Sequence, residues 1–144
     1  MGYRYYNANA LGRFSEDCTV RSISCATGKS WDYIYDELSD EAQSQGTMMD
    51  SSQFIQNYLD ERYERLPYVR GTVGQISGMF PDKVLLITMK NHIVCSRYGV
   101  IYDTFDCRNR QAEFVWIVKW ENFLTFYIDK YSKKSKMVIV DRKK

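Results

Sequence analysis

Apolar positions recur every three or four residues through the first half of the chain and bunch into short runs through the second. Val20, Ile23 and Thr27 keep helical spacing over residues 17–27, with Asp17 or Ser15 as N-cap and Gly28 as the stop. Asp17 and Arg21, four apart, are expected to pair on the surface of that helix. Ser30 opens a second helix, SWDYIYDELSDEAQSQ, whose Tyr33, Ile34, Leu38 and Ala42 should turn inward before Gly46 ends it. A third begins at Asp50 or Ser51 and lines up Phe54, Ile55, Tyr58 and Leu59 on one stripe. Leu66-Pro67 then closes the helical half.

From Lys83 the pattern changes. KVLLITM (Lys83–Met89) is a short apolar run suited to a buried strand. His92–Tyr98 and Val100–Phe105 read as two strands meeting near Tyr98-Gly99, and Phe114–Lys119 as another. Met137–Val140 is expected at a sheet edge, while ENFLTFYIDKY fits either helix or strand. Helices followed by a run of strands define an α+β protein, with N-terminal helices packed on a C-terminal antiparallel sheet.

At 144 residues the chain has room for one domain with a sizeable core, and no repeat divides it. A hydrophobic fraction of 44% excludes a disordered chain. No apolar run reaches the roughly 20 residues that a membrane helix needs, and MGYRYYNANALGRF lacks a signal-peptide core. The expectation is a cytoplasmic protein with no membrane partner. Cys18, Cys25, Cys95 and Cys107 form no CxxC motif and read as free thiols. Lys130 to Lys144 holds seven basic residues against Asp141, a local +6 that leaves −4 for the rest of a chain of formal charge +2. That end offers nucleic acid an electrostatic handle, but only Tyr131 interleaves the lysines, so a nucleic-acid partner is the weaker reading.

Cys18 opens the first helix, where the dipole and free N–H groups stabilise a thiolate. Asp17 beside it works the other way, because a nearby carboxylate raises a thiol pKa. By itself Cys18 reads as a buried small residue. His92 changes that balance. It is the only histidine, so imidazole acid–base chemistry in this chain must use it. With either Arg97-Tyr98 or Tyr98-Gly99 as a two-residue loop, even-numbered residues face odd-numbered ones across the hairpin. His92 then shares a sheet face with Asp103, and Asp106 lies on the other face. A three-residue loop reverses the choice. A histidine and an aspartate so placed make a base and its orienter.

DCTVRSISCATGKSWDYIYDEL resembles the opening segment of small phage and bacterial proteins of the papain-like cysteine peptidase superfamily, relatives of bacteriocin-processing (C39-like) peptidases. NHIVCSRYGVIYDTFDC is similar to that group's histidine–aspartate segment, and FVWIV to its closing strand. The resemblance covers roughly residues 5–118 of a single papain-like domain spanning 1–144, with a basic C-terminal extension over about 120–144. It implies Cys18 as nucleophile, His92 as general base and Asp103 as orienter. The implied activity is a peptidase, isopeptidase or amidase working through a thioester on a peptide or protein substrate, in a bacterial host if phage-encoded, with no cofactor and no metal. Two positions depart from the wider superfamily. Gly12 stands where an oxyanion-hole glutamine is usual, so Asn7 or Asn9 would have to substitute beside the Cys18 N–H. Thr19 stands where papain has an aromatic residue.

Two rival readings follow from the same residues. Cys18, His92, Cys95 and Cys107 are ligand types that zinc prefers, but His92 and Cys95, three apart on one strand, point to opposite faces. The stronger rival is a catalytically weak papain-like fold serving as an interaction module for a host or phage protein, since fold alone does not fix function.

Overall fold

The computed structural model describes residues 2–9 and 17–118. Among these residues, four helices and a six-stranded sheet follow the order β1 (Gly2–Tyr5), α1 (Cys18–Thr27), α2 (Trp31–Gln45), α3 (Ser52–Arg62), β2 (Glu64–Arg65), α4 (Val73–Met79), β3 (Val84–Met89), β4 (His92–Arg97), β5 (Val100–Asp103) and β6 (Phe114–Val118). The expected strand at Met137–Val140, the ambiguous ENFLTFYIDKY segment and the basic end all lie outside the described residues, as do Gly12 and Ser15.

The protein is α+β, as the change of period implies. The sheet runs β1-β5-β4-β3-β6-β2. It is mixed rather than wholly antiparallel, because β1 joins the edge parallel to β5, Gly2 opposite Val100 and Tyr5 opposite Asp103. Helices cover both faces. Val84, Leu86, Ile93, Cys95, Trp116 and Val118 pack against residues of α1, α2 and α3. The alternating Leu85, Ile87, Met89, Val94 and Val115 pack against α4. Burial on both faces is why KVLLITM shows no polar alternation.

Helix ends follow local chemistry. Ser30 and Ser51 accept the N–H groups of Tyr33 and Phe54, and Gly28 and Gly46 close their helices in the left-handed region. Tyr33, expected inside, is half-exposed on α2. The sequence reading passed over α4, which a reciprocal capping box holds: Thr72 accepts from the Gln75 N–H while the Gln75 side chain accepts from the Thr72 N–H.

The hairpin that carries the candidate chemistry has Tyr98-Gly99 as its two-residue loop, with Arg97 paired to Val100. Both loop residues have positive φ, 53° and 83°, as a type I′ turn requires. Gly99→Ala is expected to cost about 1–2 kcal/mol, because an L-residue there brings Cβ against the following carbonyl. A lower urea midpoint at unchanged slope would show it.

Candidate active site

α1 is buried nearly all round, from Val20 to Ala26. Its polar side chains must therefore find partners inside the protein. Ser22 Oγ donates to the Ile93 carbonyl at 2.9 Å, and Arg97 donates to the Cys25 carbonyl at 2.7 Å. These bonds lay α1 alongside β4 in the same direction, which brings Cys18, at the start of one, to His92, at the start of the other.

His92 and Asp103 share a face, as the two-residue loop dictates. The β4–β5 ladder ends at Cys95 and Tyr102, so both side chains sit just beyond it, at the end of the sheet that the α1 N-terminus reaches. His92 Nε2 lies 2.7 Å from Asp103 Oδ2. This leaves Nδ1 as the ring nitrogen for the half-buried Cys18 thiol, with which His92 shares a hydrogen bond. Asp106 is elsewhere, exposed and bound to Arg108. The carboxylate beside His92 is therefore that of Asp103.

Asp103 is 1% exposed and its oxygens are fully engaged. Oδ1 accepts from Arg21 at 3.0 Å and from the Thr104 N–H at 2.8 Å, and the Cys107 thiol also donates to the carboxylate. Burial pushes the Asp103 carboxyl up, but the hydrogen bonds from His92, Thr104 and Cys107 outweigh it and hold it below its ordinary value. The same balance runs through its neighbours. Burial pulls the His92 imidazole down, while bonds to Asp103 and Cys18 carry it up to about 9. Burial pushes the Cys18 thiol up, and His92, the Ile93 backbone and the Arg21 charge bring it below the usual thiol range. Both shifts run toward a thiolate–imidazolium pair.

Asp17 is the N-cap residue by position, but its side chain makes no cap bond. It bonds Arg21 and accepts from Trp31 Nε1 at 2.8 Å. The Asp17–Arg21 pair is thus buried, not on the surface, because α1 has no solvent face here. With Asp17 turned aside, its side chain caps none of the first helical N–H groups, which have no intrahelical acceptors. Tyr6 N donates to the Asp103 carbonyl at 2.8 Å, so the chain leaving β1 passes the site. Asn7 Oδ1 accepts the Asn9 N–H at 3.1 Å, a turn role for that oxygen.

The zinc set does not assemble. Cys95 lies in the core hydrogen-bonded to Cys25, away from His92. Ligand atoms of His92, Asp103 and Cys107 do lie within 4.8 Å of one another. However, burial and the Asp103 charge push the Cys107 thiol up to about 12, and the Arg21 guanidinium already occupies Asp103. This environment disfavours the thiolate that a metal would need.

Three neighbours escaped the sequence reading. Arg21, expected on the surface, is buried, on the Cys18 side of α1 as three-residue spacing allows. Trp31 carried no signal toward Asp17. Phe105, half-exposed, lies with its ring centroid 4.9 Å from that of His92 and shields the imidazole. Among the described residues, no helix is long and apolar enough to cross a membrane. Comparison with protein-family models, curated proteins and solved structures returned no match, so the reading of this site rests on its geometry and the sequence motifs.

Proposed function

We propose that this protein is a papain-like cysteine hydrolase, acting on a peptide, isopeptide or related amide bond. The observation that carries the reading is the Cys18 thiol at the start of a buried helix, hydrogen-bonded to His92, whose far nitrogen is held 2.7 Å from a buried carboxylate. In this reading the Cys18 thiolate adds to the carbonyl carbon and the oxygen takes the negative charge beside the α1 N–H groups. His92 gives its proton to the leaving amine as the C–N bond breaks, which leaves a thioester. Water, deprotonated by His92, then adds to the thioester, and the acid departs as the thiol is regenerated.

The test is modification by a peptidyl vinyl sulfone or aldehyde at pH 6.5, read by mass spectrometry. We expect adduct on Cys18 only, and none in Cys18→Ala or His92→Ala. A folded protein that leaves the trap untouched would instead support the interaction-module reading, in which a protein partner binds Cys18→Ala as well as the native chain.

A further inference from the structure

Arg21 is 5% exposed and carries a charge into the centre of the molecule. A buried charge is costly unless carboxylates and hydrogen bonds satisfy it, and an apolar side chain of similar volume would fill the space with less penalty. Arg21 has two such carboxylates. One end of the guanidinium meets Asp17, which Trp31 anchors from α2. The other meets Oδ1 of Asp103, whose Oδ2 faces His92. Charges therefore alternate in sign along the row Asp17, Arg21, Asp103, His92, Cys18.

We propose that Arg21 is a positioning residue of this site: bridging Asp17 and Asp103, it fixes the Asp103 carboxylate toward His92 and sets a positive charge in the row that ends at Cys18, with Asp17 setting how much of that charge is felt. The inference rests on the hydrolase reading and adds to it a residue that touches neither substrate nor thiol. The Arg21 charge does act on Cys18 in the stabilising direction. Among the described residues, the other titratable or charged groups facing the row include Cys107, which donates to Asp103, and Tyr3 on β1, whose hydroxyl donates to the Asp103 carbonyl and which also feels Asp106.

The consequence is a difference in sign that a merely structural role would not give. Removing the Arg21 charge leaves two carboxylates acting on the thiol and imidazole, which moves thiolate formation to higher pH. Removing the Asp17 charge frees Arg21 to act on the thiol, which moves it to lower pH. The experiment is the rate of iodoacetamide alkylation at Cys18 between pH 4.5 and 10, with circular dichroism on each variant. In Arg21→Gln the rate at pH 6 should fall roughly tenfold, one pH unit of displacement. Arg21→Lys should recover much of it, and Asp17→Asn should raise the rate at pH 5 severalfold. A folded Arg21→Gln with the native profile overturns the inference, as does displacement of both charge-removing variants in the same direction. If Arg21→Gln fails to fold, the direction taken by Asp17→Asn decides. A native protein with no acid-side reactivity at Cys18 overturns the hydrolase reading and takes this inference with it.

Discussion

Cys18→Ala is expected to abolish thiol-dependent hydrolysis, a loss on the order of 10⁴–10⁶-fold, while leaving the fold in place. The substitution removes one sulfur from a half-buried position at a helix start, and the Ser22–Ile93 and Arg97–Cys25 bonds that lay α1 along β4 are untouched by it. The other three thiols cannot substitute. Cys95 and Cys107 are buried and their thiols are pushed up, Cys107 to about 12. Cys25 is held lower by its bond to Cys95 but is buried in the core. Alkylation of native protein near pH 6.5 should therefore concentrate on Cys18 and shift to slow, unselective labelling in His92→Ala. Equal labelling of all four thiols in folded native protein would return Cys18 to the role of a small core residue. Slow turnover of a substrate would not do so. A missing oxyanion donor alone costs about 10²–10³-fold, and Gly12 provides no side chain for that task.

The part of this site that the sequence disclosed is the part governed by short-range rules. Gly99 favours a two-residue loop, and either register of such a loop puts His92 with Asp103 instead of Asp106. The structure takes Tyr98-Gly99, whereas a three-residue loop would have reversed the choice. Ser30, Ser51, Gly28 and Gly46 mark helix ends through bonds within a few residues. What stayed hidden depends on contacts distant in sequence. Nothing within GYRY announces that it will lie parallel to Val100–Asp103, nearly a hundred residues away. The spacing of Asp17 and Arg21 gives their pairing but not their burial, which follows only when α1 is enclosed between α2 and the sheet. Arg21 then reaches Asp103 across 82 positions of sequence. α4 was a different case: TVGQ held a capping box in plain view, and the short amphipathic segment after it was easy to pass over.

Asp103→Asn is expected to disable the site even though asparagine has nearly the same shape. Oδ1 of Asp103 accepts two donors, Arg21 and the Thr104 N–H, and Oδ2 faces Nε2 of His92. An asparagine can satisfy the first pair only by turning its oxygen toward them, which aims its NH₂ at the imidazole. Nε2 must then be an acceptor, the ring proton moves to Nδ1, and the imidazolium that partners the Cys18 thiolate is lost. The opposite rotamer faces its NH₂ toward the buried Arg21 guanidinium, which is worse. Activity and alkylation at pH 6.5 should fall by roughly 10²–10⁴-fold, the usual range for losing a working general base. Asp103→Ala adds a stability cost of about 3–5 kcal/mol, as expected when one member of a buried ion pair is removed. That is a large share of a typical domain stability of about 5–15 kcal/mol. The pH dependence distinguishes the pair from ordinary packing. Because Asp103 is held below its unfolded value, its contribution is fully present above about pH 3.9 and disappears as pH falls through the lower folded value. The stability gap between native protein and Asp103→Asn should therefore be widest near neutrality and narrow below about pH 4. A gap of constant size down to pH 2, measured by urea unfolding, would mean that the Asp103 charge stabilises nothing.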